Sequence, residues 1–444
     1  MHSSFAPFAF AGQTVPVWRV SGPKQKAFHR FFDTSPISPT GRYIAFLETD
    51  FDDRLPDPTD TAHIVVLDLT TGSEIYRTRT AAWDTQLGAQ IQWGMSDATL
   101  AFNRKTAKGD RAYGIAANPL VGSEQTLNGQ IYMVSHNGAL SASFRLETLP
   151  RVQAGYGVIV APEHIPRWRG WPKDDGLWIT DLETGQARLI LSLDEIVRQI
   201  GKVRLELDPS KGYLSGFHVK WSPDGARLLL LLRWREDGAR QTRNYLVSCD
   251  ASGANVKLVV HAQNWGFGHH PNWCPDSRHV VMNLGRSGSG GLLGKIDRAF
   301  AAGLRRAGVA YHSPSKRLSL AFLDTDIEEP SPQFIPEAQG SGHPSLHPNG
   351  KFVLTDAYPS EPVAAGDGTA PLRWINRKTG QERILAHVPV LPPHRVAGNA
   401  WRVDPHPVFD RSGTKVVFNA APDGIRGVFV ADLSNLLGKA ETRD

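Results

Sequence analysis

The sequence predicts an all-β chain closed as a seven-bladed β-propeller, and three observations carry that reading. A degenerate strand–turn–strand unit recurs seven times along the 444 residues. Each copy leads into a further apolar run, often closed by a hairpin of the x-D-x-x-T-G-x kind, where glycine supplies the positive φ of a tight turn. The last copy runs out at GVFVADLSNLLG without an outer strand, and TVPVWRV (Thr14 to Val20) is the available donor to complete it. A four-stranded unit repeated in this way closes radially and leaves only short sheet edges. Residues 1–444 read as a single domain.

Taken in chain order, the turn motifs are TSPISPTG, QIQWGMSD, IYMVSHNG, FHVKWSPDG, HHPNWCPDS, GHPSLHPNG and PHPVFDRSG. The slot four residues before the turn holds Thr34, Gln90, Ile131, His218, His270, His343 and His406. The runs that follow are IVVLDLTTGSEI, YGIAANPLVGSEQ, GLWITDLETGQARLIL, YLVSCDASGANVKLVV, SLAFLDTDIEE, LRWINRKTGQERIL and GVFVADLSNLL. Two insertions interrupt this rhythm. Residues 145–175, rich in Arg, Trp and Pro, are expected between repeats three and four; residues 284–316 follow repeat five, with KIDRAFAAGLRRA predicted as a short amphipathic helix. SLDEIVRQIGK predicts another short helix between blades. Long loops in compact folds commonly carry function.

Composition agrees with this fold and excludes several function classes. The 42 Gly and 31 Pro suit a turn-rich all-β chain, and 12 Trp with 19 Phe supply packing between blades. Two cysteines give no disulfide framework. No apolar run is long enough to span a membrane, so no membrane partner is expected. The N-terminus lacks the basic start and apolar stretch of a signal peptide, which predicts a cytoplasmic protein, or a secreted or periplasmic one if a leader has been removed. The net charge of +5 is dispersed, without a Lys/Arg tract, which argues for an anionic oligo- or polysaccharide and against nucleic acid.

Inner strands of a propeller line its central channel, so slot residues of consecutive blades form a ring. His218, His270, His343 and His406 would be four neighbours in that ring. A lone inner-strand histidine usually serves a backbone hydrogen bond. Four in one register, of 16 in the chain, point to convergence on a divalent metal, Mn or Zn before Ca. Tyr156, between glycines in AGYGV, reads either as an acid–base group or as a buried aromatic. Arg233 and Arg402 can bind a substrate carboxylate or form structural ion pairs. Gln90 and Gln92 fall in the ring region and could hydrogen-bond a sugar. His29, His136, His164 and His269 lie outside the slot, His347 is expected to be solvated at a turn, and Cys274 reaches the metal only if its turn folds inward. There is no nucleophile elbow and no phosphate loop.

The runs HRFFDTSPISPTGRYIAF, DTQLGAQIQWG, AGYGV, FHVKWSPDG, SGHPSLHPNGKFVLTDAYP and VDPHPVFDRSGTKVVF resemble the oligogalacturonate-lyase-like propellers, a set that includes the ulvan lyases. The resemblance runs from about Phe28 to Leu437 and is most specific in the GHP and DPHP blocks. It implies β-elimination at a uronic acid, with His218 as base and His270 and His406 as manganese ligands. Where the last block of those lyases carries a further His and a Gln, this chain has Asp404 and Trp401. Asp404 can still ligate and Trp401 cannot, so the resemblance implies a site that is altered or completed by His343. Tyr156 and Arg233 match a Tyr and an Arg that assist catalysis in the ulvan-lyase-like members. RLETLPRVQ replaces the Arg/His pair that often precedes the GYG block. Related propellers suggest two alternatives: hydrolysis of terminal rhamnose from glucuronate, and non-catalytic binding.

Overall fold

A computed structural model describes residues 3–239, 241–265, 268–285, 318–390 and 402–441. It contains seven four-stranded antiparallel sheets. The seventh is completed by Val17–Arg19, which pairs with Gly427–Asp432 through Val17↔Ala431 and Arg19↔Phe429. The ring is therefore latched by its N-terminal strand, as the unfinished last repeat predicts.

One hydrogen bond fixes the register of all seven repeats. The residue opening each turn donates its amide N–H to the carbonyl five residues on. The seven pairs are Ser38 to Tyr43, Gly94 to Thr99, Ser135 to Leu140, Ser222 to Arg227, Cys274 to His279, His347 to Phe352 and Asp410 to Lys415, all within 2.7–3.0 Å. Thr34, Gln90, Ile131 and the four histidines consequently occupy equivalent places. Middle strands are apolar on both sides because both faces pack on other residues of the ring. Leu228 to Leu232, at most 5% exposed, is the clearest case.

Adjacent blades are joined by buried polar links. Trp93, Trp221 and Trp273 stand one residue before the turn and donate their indole N–H to Pro36, Met133 and Lys220 carbonyls of the preceding blade, at 2.7, 3.1 and 3.0 Å. Asn103 holds the Ile131 N–H and carbonyl of the next blade, and Asn283 donates to the Gly342 carbonyl. Each such bond contributes about 1 kcal/mol, and more is lost if one partner is removed.

Three expectations need correction. The insertion 145–175 lies inside blade 3, between its second and third strands (Leu140–Ser143 and Gly176–Asp181), not between repeats three and four. It folds onto blade 4 through a Gly170↔Tyr213 bridge, and the Trp168 indole donates to the Leu214 carbonyl at 2.8 Å. Blade 1 does not begin its inner strand at Thr34. Lys26–Phe28 pairs first, the chain departs over residues 29–36, and Ile37 returns to bridge Ile44. Eight residues there face only Ala45 and Phe46, so the excess loops into the channel. His347 is buried against Trp374 and Phe409 rather than solvated.

The insertion at 284–316 occupies the same position in blade 5, between His279–Gly285 and Leu318–Asp324, and its predicted helix lies outside the described residues. The helix expected near Leu191 is Leu193–Ile200, started by a Ser192/Glu195 capping box. No helix among the described residues is long and apolar enough to cross a membrane.

Candidate functional site

His270, His343 and His406 lie at or just before the N-terminal ends of inner strands, and His218 sits within the longer inner strand of blade 4 (Gly212–Trp221). In an antiparallel blade this is the face where second strands end, so Ser143 and Gly285, the last strand residues before the two insertions, lie on that face. Local irregularities aim the side chains. A bulge at Phe217, between Gly216↔Leu232 and His218↔Leu231, turns His218 toward the channel. His270 and His406 take left-handed φ values of 57° and 47°, as does Gln90 at 58°. Such backbone costs about 1–3 kcal/mol for a non-glycine residue and is retained at functional centres.

Three of the imidazoles stack or cross in sequence. The His343 ring centroid is 3.9 Å from His270 and 4.3 Å from His406. Asp356, just past the second strand of blade 6 (Phe352–Thr355), holds His343 Nδ1 with both carboxylate oxygens at 2.9 Å. That contact leaves His343 Nε2 facing the cluster, buried and without a partner among the described residues. Both His406 ring nitrogens are likewise unpartnered, and Asp404 Oδ2 lies 3.8 Å from His406 Nε2. His343, Asp404 and His406 offer donor atoms that all fall within 4.8 Å of one another. Two neutral nitrogens and a carboxylate oxygen, buried and oriented from behind by Asp356, suit a borderline divalent ion. His270 stands apart from this group: its ring lies nearly parallel to His343 and its Nδ1 contacts the Gly342 carbonyl at 2.6 Å.

His218 is on the flank toward blade 3. Its ring stacks on Phe217 at 4.1 Å and lies 5.9 Å from Tyr156 and 5.6 Å from Tyr132. Its Nε2 is buried without a partner. Burial holds His218, His270 and His406 well below the usual histidine range, and Lys220 and Arg233 add to the effect at His218. Tyr156 is pushed up by burial and keeps its proton at neutral pH. Its loop is fixed by Gly155 and Gly157 at φ 87° and 81°, and by Asp84, which accepts the Gly157 N–H at 2.7 Å.

Arg402 connects the two flanks. Its Nε donates to Asp404 Oδ2 at 2.7 Å and its Nη2 reaches the Tyr156 hydroxyl at 3.4 Å. Arg233 lies partly buried over the Phe217 ring at 3.5 Å, bonded to Gln153 Oε1, and desolvation lowers it to about 10, so it remains a cation at neutral pH. The glutamines are placed differently from the expected sugar contacts. Gln90 Oε1 accepts from Arg30 at 2.7 Å, while the Gln92 amide is committed to the Gln90 and Tyr132 carbonyls and the Val134 N–H. Cys274 is fully buried in the apolar core of blades 5 and 6, away from the histidines. Trp401 lies outside the described residues.

Several contributors are not obvious in the sequence. Asp356 and Tyr358 follow FVLT, and the Tyr358 ring is 6.0 Å from His343. The excursion of blade 1 brings Phe31 into edge contact with all four slot histidines, at 4.6–6.3 Å, and Phe32 against three of them. These rings floor the site. Beneath them, a cavity of about 340 Å³ lined by Phe32, Trp93, Trp221 and Trp273 opens on the opposite side.

No family profile and no curated protein matches the sequence. Among solved structures, the fold is similar to an oligogalacturonate lyase in complex with manganese, at 15% identity and a TM-score of 0.62, over 99% of this chain and 98% of that one. It is also similar to an oligogalacturonate lyase from Vibrio parahaemolyticus, at 14% identity and a TM-score of 0.60, over 98% of both chains. From one end to the other, this chain has the seven-bladed fold of the oligogalacturonate lyases.

Proposed function

We propose that this protein is a lyase that cleaves uronic-acid-containing oligo- or polysaccharides by β-elimination. The observation that carries the reading is a set of buried imidazole nitrogens without partners among the described residues, in one register, facing a buried tyrosine and a partly buried arginine. Buried polar atoms are ordinarily satisfied, and those left open mark where a ligand binds. His343, His406 and Asp404 would hold a divalent ion, manganese or zinc first. Such an ion supplies positive charge to the uronate carboxylate and so acidifies the proton at C5.

The side chains can carry the remaining chemistry. His218 Nε2, neutral at working pH, takes the C5 proton; the C5–H electron pair becomes the C4–C5 double bond. The C4–O bond breaks with its electrons on the leaving oxygen, which receives the Tyr156 proton. Arg402 is positioned beside the Tyr156 hydroxyl, where it steadies the phenolate that results. Arg233 contributes fixed positive charge that favours an anionic sugar. The indole N–H of Trp168 is anchored to the Leu214 carbonyl of blade 4, which fixes the orientation of this aromatic of the insertion.

The test is incubation of metal-loaded protein with a panel of uronate glycans, followed by ultraviolet absorbance. Only elimination creates the conjugated unsaturated uronate. Cleavage without that chromophore would indicate a hydrolase, and no cleavage of any uronate glycan would favour a binding propeller.

A further inference from the structure

Beneath His218 lies a buried charge cluster to which the proposed reaction assigns no part. Lys220 is two residues further along the inner strand of blade 4 (Gly212–Trp221), so strand alternation returns it to the channel side with His218. Its Nζ is 2.8 Å from Asp33 Oδ2, 4.2 Å from the Phe32 ring centroid and 5.3 Å from that of Phe31. Asp33 also receives Arg30 Nη1 at 2.5 Å. Arg30 is tied in turn to Gln90 Oε1, Thr34 Oγ1 and the Tyr132 carbonyl. The side chains of Lys220, Asp33 and Arg30 are all nearly inaccessible. Buried charge is costly to maintain, and a wholly apolar floor would stabilise the ring at least as well.

We propose that Lys220, anchored by Asp33 beneath the Phe31–Phe32 floor, is a positioning residue that keeps His218 neutral and ready to accept a proton. This rests on the reading of His218 as the base. The groups facing His218 are Arg30 and Asp33 from the blade 1 excursion, Lys220 on its own strand, Arg233 on the second strand of blade 4, Tyr132 of blade 3 and Tyr156 of the insertion. Burial acts first against the imidazolium; Lys220 is the strongest of the charges that add to this, and Asp33 opposes it. The same cluster holds Phe31 against the His218 ring at 5.6 Å, so charge and orientation come from one device.

The two charges make opposite predictions. Lys220→Met should let His218 protonate at a pH higher by about one unit, and the acid limb of the kcat/KM profile should rise with it. Lys220→Arg should restore both. Asp33→Asn should leave the limb in place or lower it. A purely structural cluster would make Lys220→Met and Asp33→Asn alike, with lower activity and an unmoved limb. His218 is followed independently by imidazole NMR of the substrate-free protein, using His218→Gln to assign its signal. If Lys220→Met does not fold, Lys220→Gln keeps a hydrogen-bond donor for Asp33, which stays paired with Arg30, and the same upward shift is expected. An unchanged His218 titration in an active lyase overturns this inference alone. Absence of elimination with any uronate leaves the NMR result standing and overturns the lyase reading instead.

Discussion

Blades 1–3 and blades 4–7 carry equivalent slots and use them oppositely. In the first half, Thr34 and Gln90 are bound by Arg30, and the Ile131 backbone is bound by Asn103. In the second half, His218, His343 and His406 present buried nitrogens that no described residue satisfies. The ring is thus part framework and part site, although the repeat that builds it is one pattern. The difference teaches that satisfied polar groups mark the framework, whereas open ones mark where a substrate or ion must complete the structure.

Substitutions in the two halves should therefore fail in different ways. The largest expected effect is at His218: His218→Ala should lower turnover by about 10²–10⁴-fold with the fold and metal content intact, since that is the usual cost of losing a proton-transfer group. Circular dichroism, metal analysis and product absorbance together check it, and wild-type turnover would move the base to Tyr156. Next is Asp356, which orients His343 from behind. Asp356→Ala should weaken metal affinity by about 10–100-fold, measured by competition with a chelator of known affinity.

A framework substitution should reverse the pattern. Asn103→Ala leaves the Ile131 N–H and carbonyl without their partner and should cost about 1–3 kcal/mol in denaturant unfolding, while metal affinity stays unchanged. The last contrast is in pH dependence. His218, His270 and His406 resist protonation in the folded chain but accept protons in the unfolded one, near pH 6.5. The unfolded state then binds more protons, so the metal-free protein should lose stability as pH falls below about 6.5. The slope is about 1.4 kcal/mol per pH unit for each such histidine, whereas a site without buried histidines would show none in that window.

Much of this was legible in the sequence because a repeated turn fixes a repeated register. Ser222, Cys274, His347 and Asp410 differ in chemistry yet make the same backbone bond, and counting back from them finds the histidines. The flooring residues were harder to read. HRFFD sits in blade 1 where the inner strand is interrupted, and an interruption has no periodicity to count from. Lys220 did leave a signal: FHVKW places a charge two residues from His218 on an otherwise apolar strand, hence on the same face. Asp356, in FVLTDAY, looks like any residue ending a strand, and its role depends on the pairing that sets His343, just before the inner strand of the same blade, beside it. Gln92 shows the converse limit. Its position in the ring region was readable, but its hydrogen bonds to blade 3 belong to tertiary contacts that no local pattern encodes.

The central claim is a division of labour among equivalent histidines, with His343 and His406 holding an ion and His218 moving a proton. Equilibrium dialysis against manganese, compared between His218→Ala and His343→Ala, tests it most directly. The account predicts one bound ion per chain for His218→Ala and none for His343→Ala. Equal binding by the two variants, whether full or lost, would contradict it.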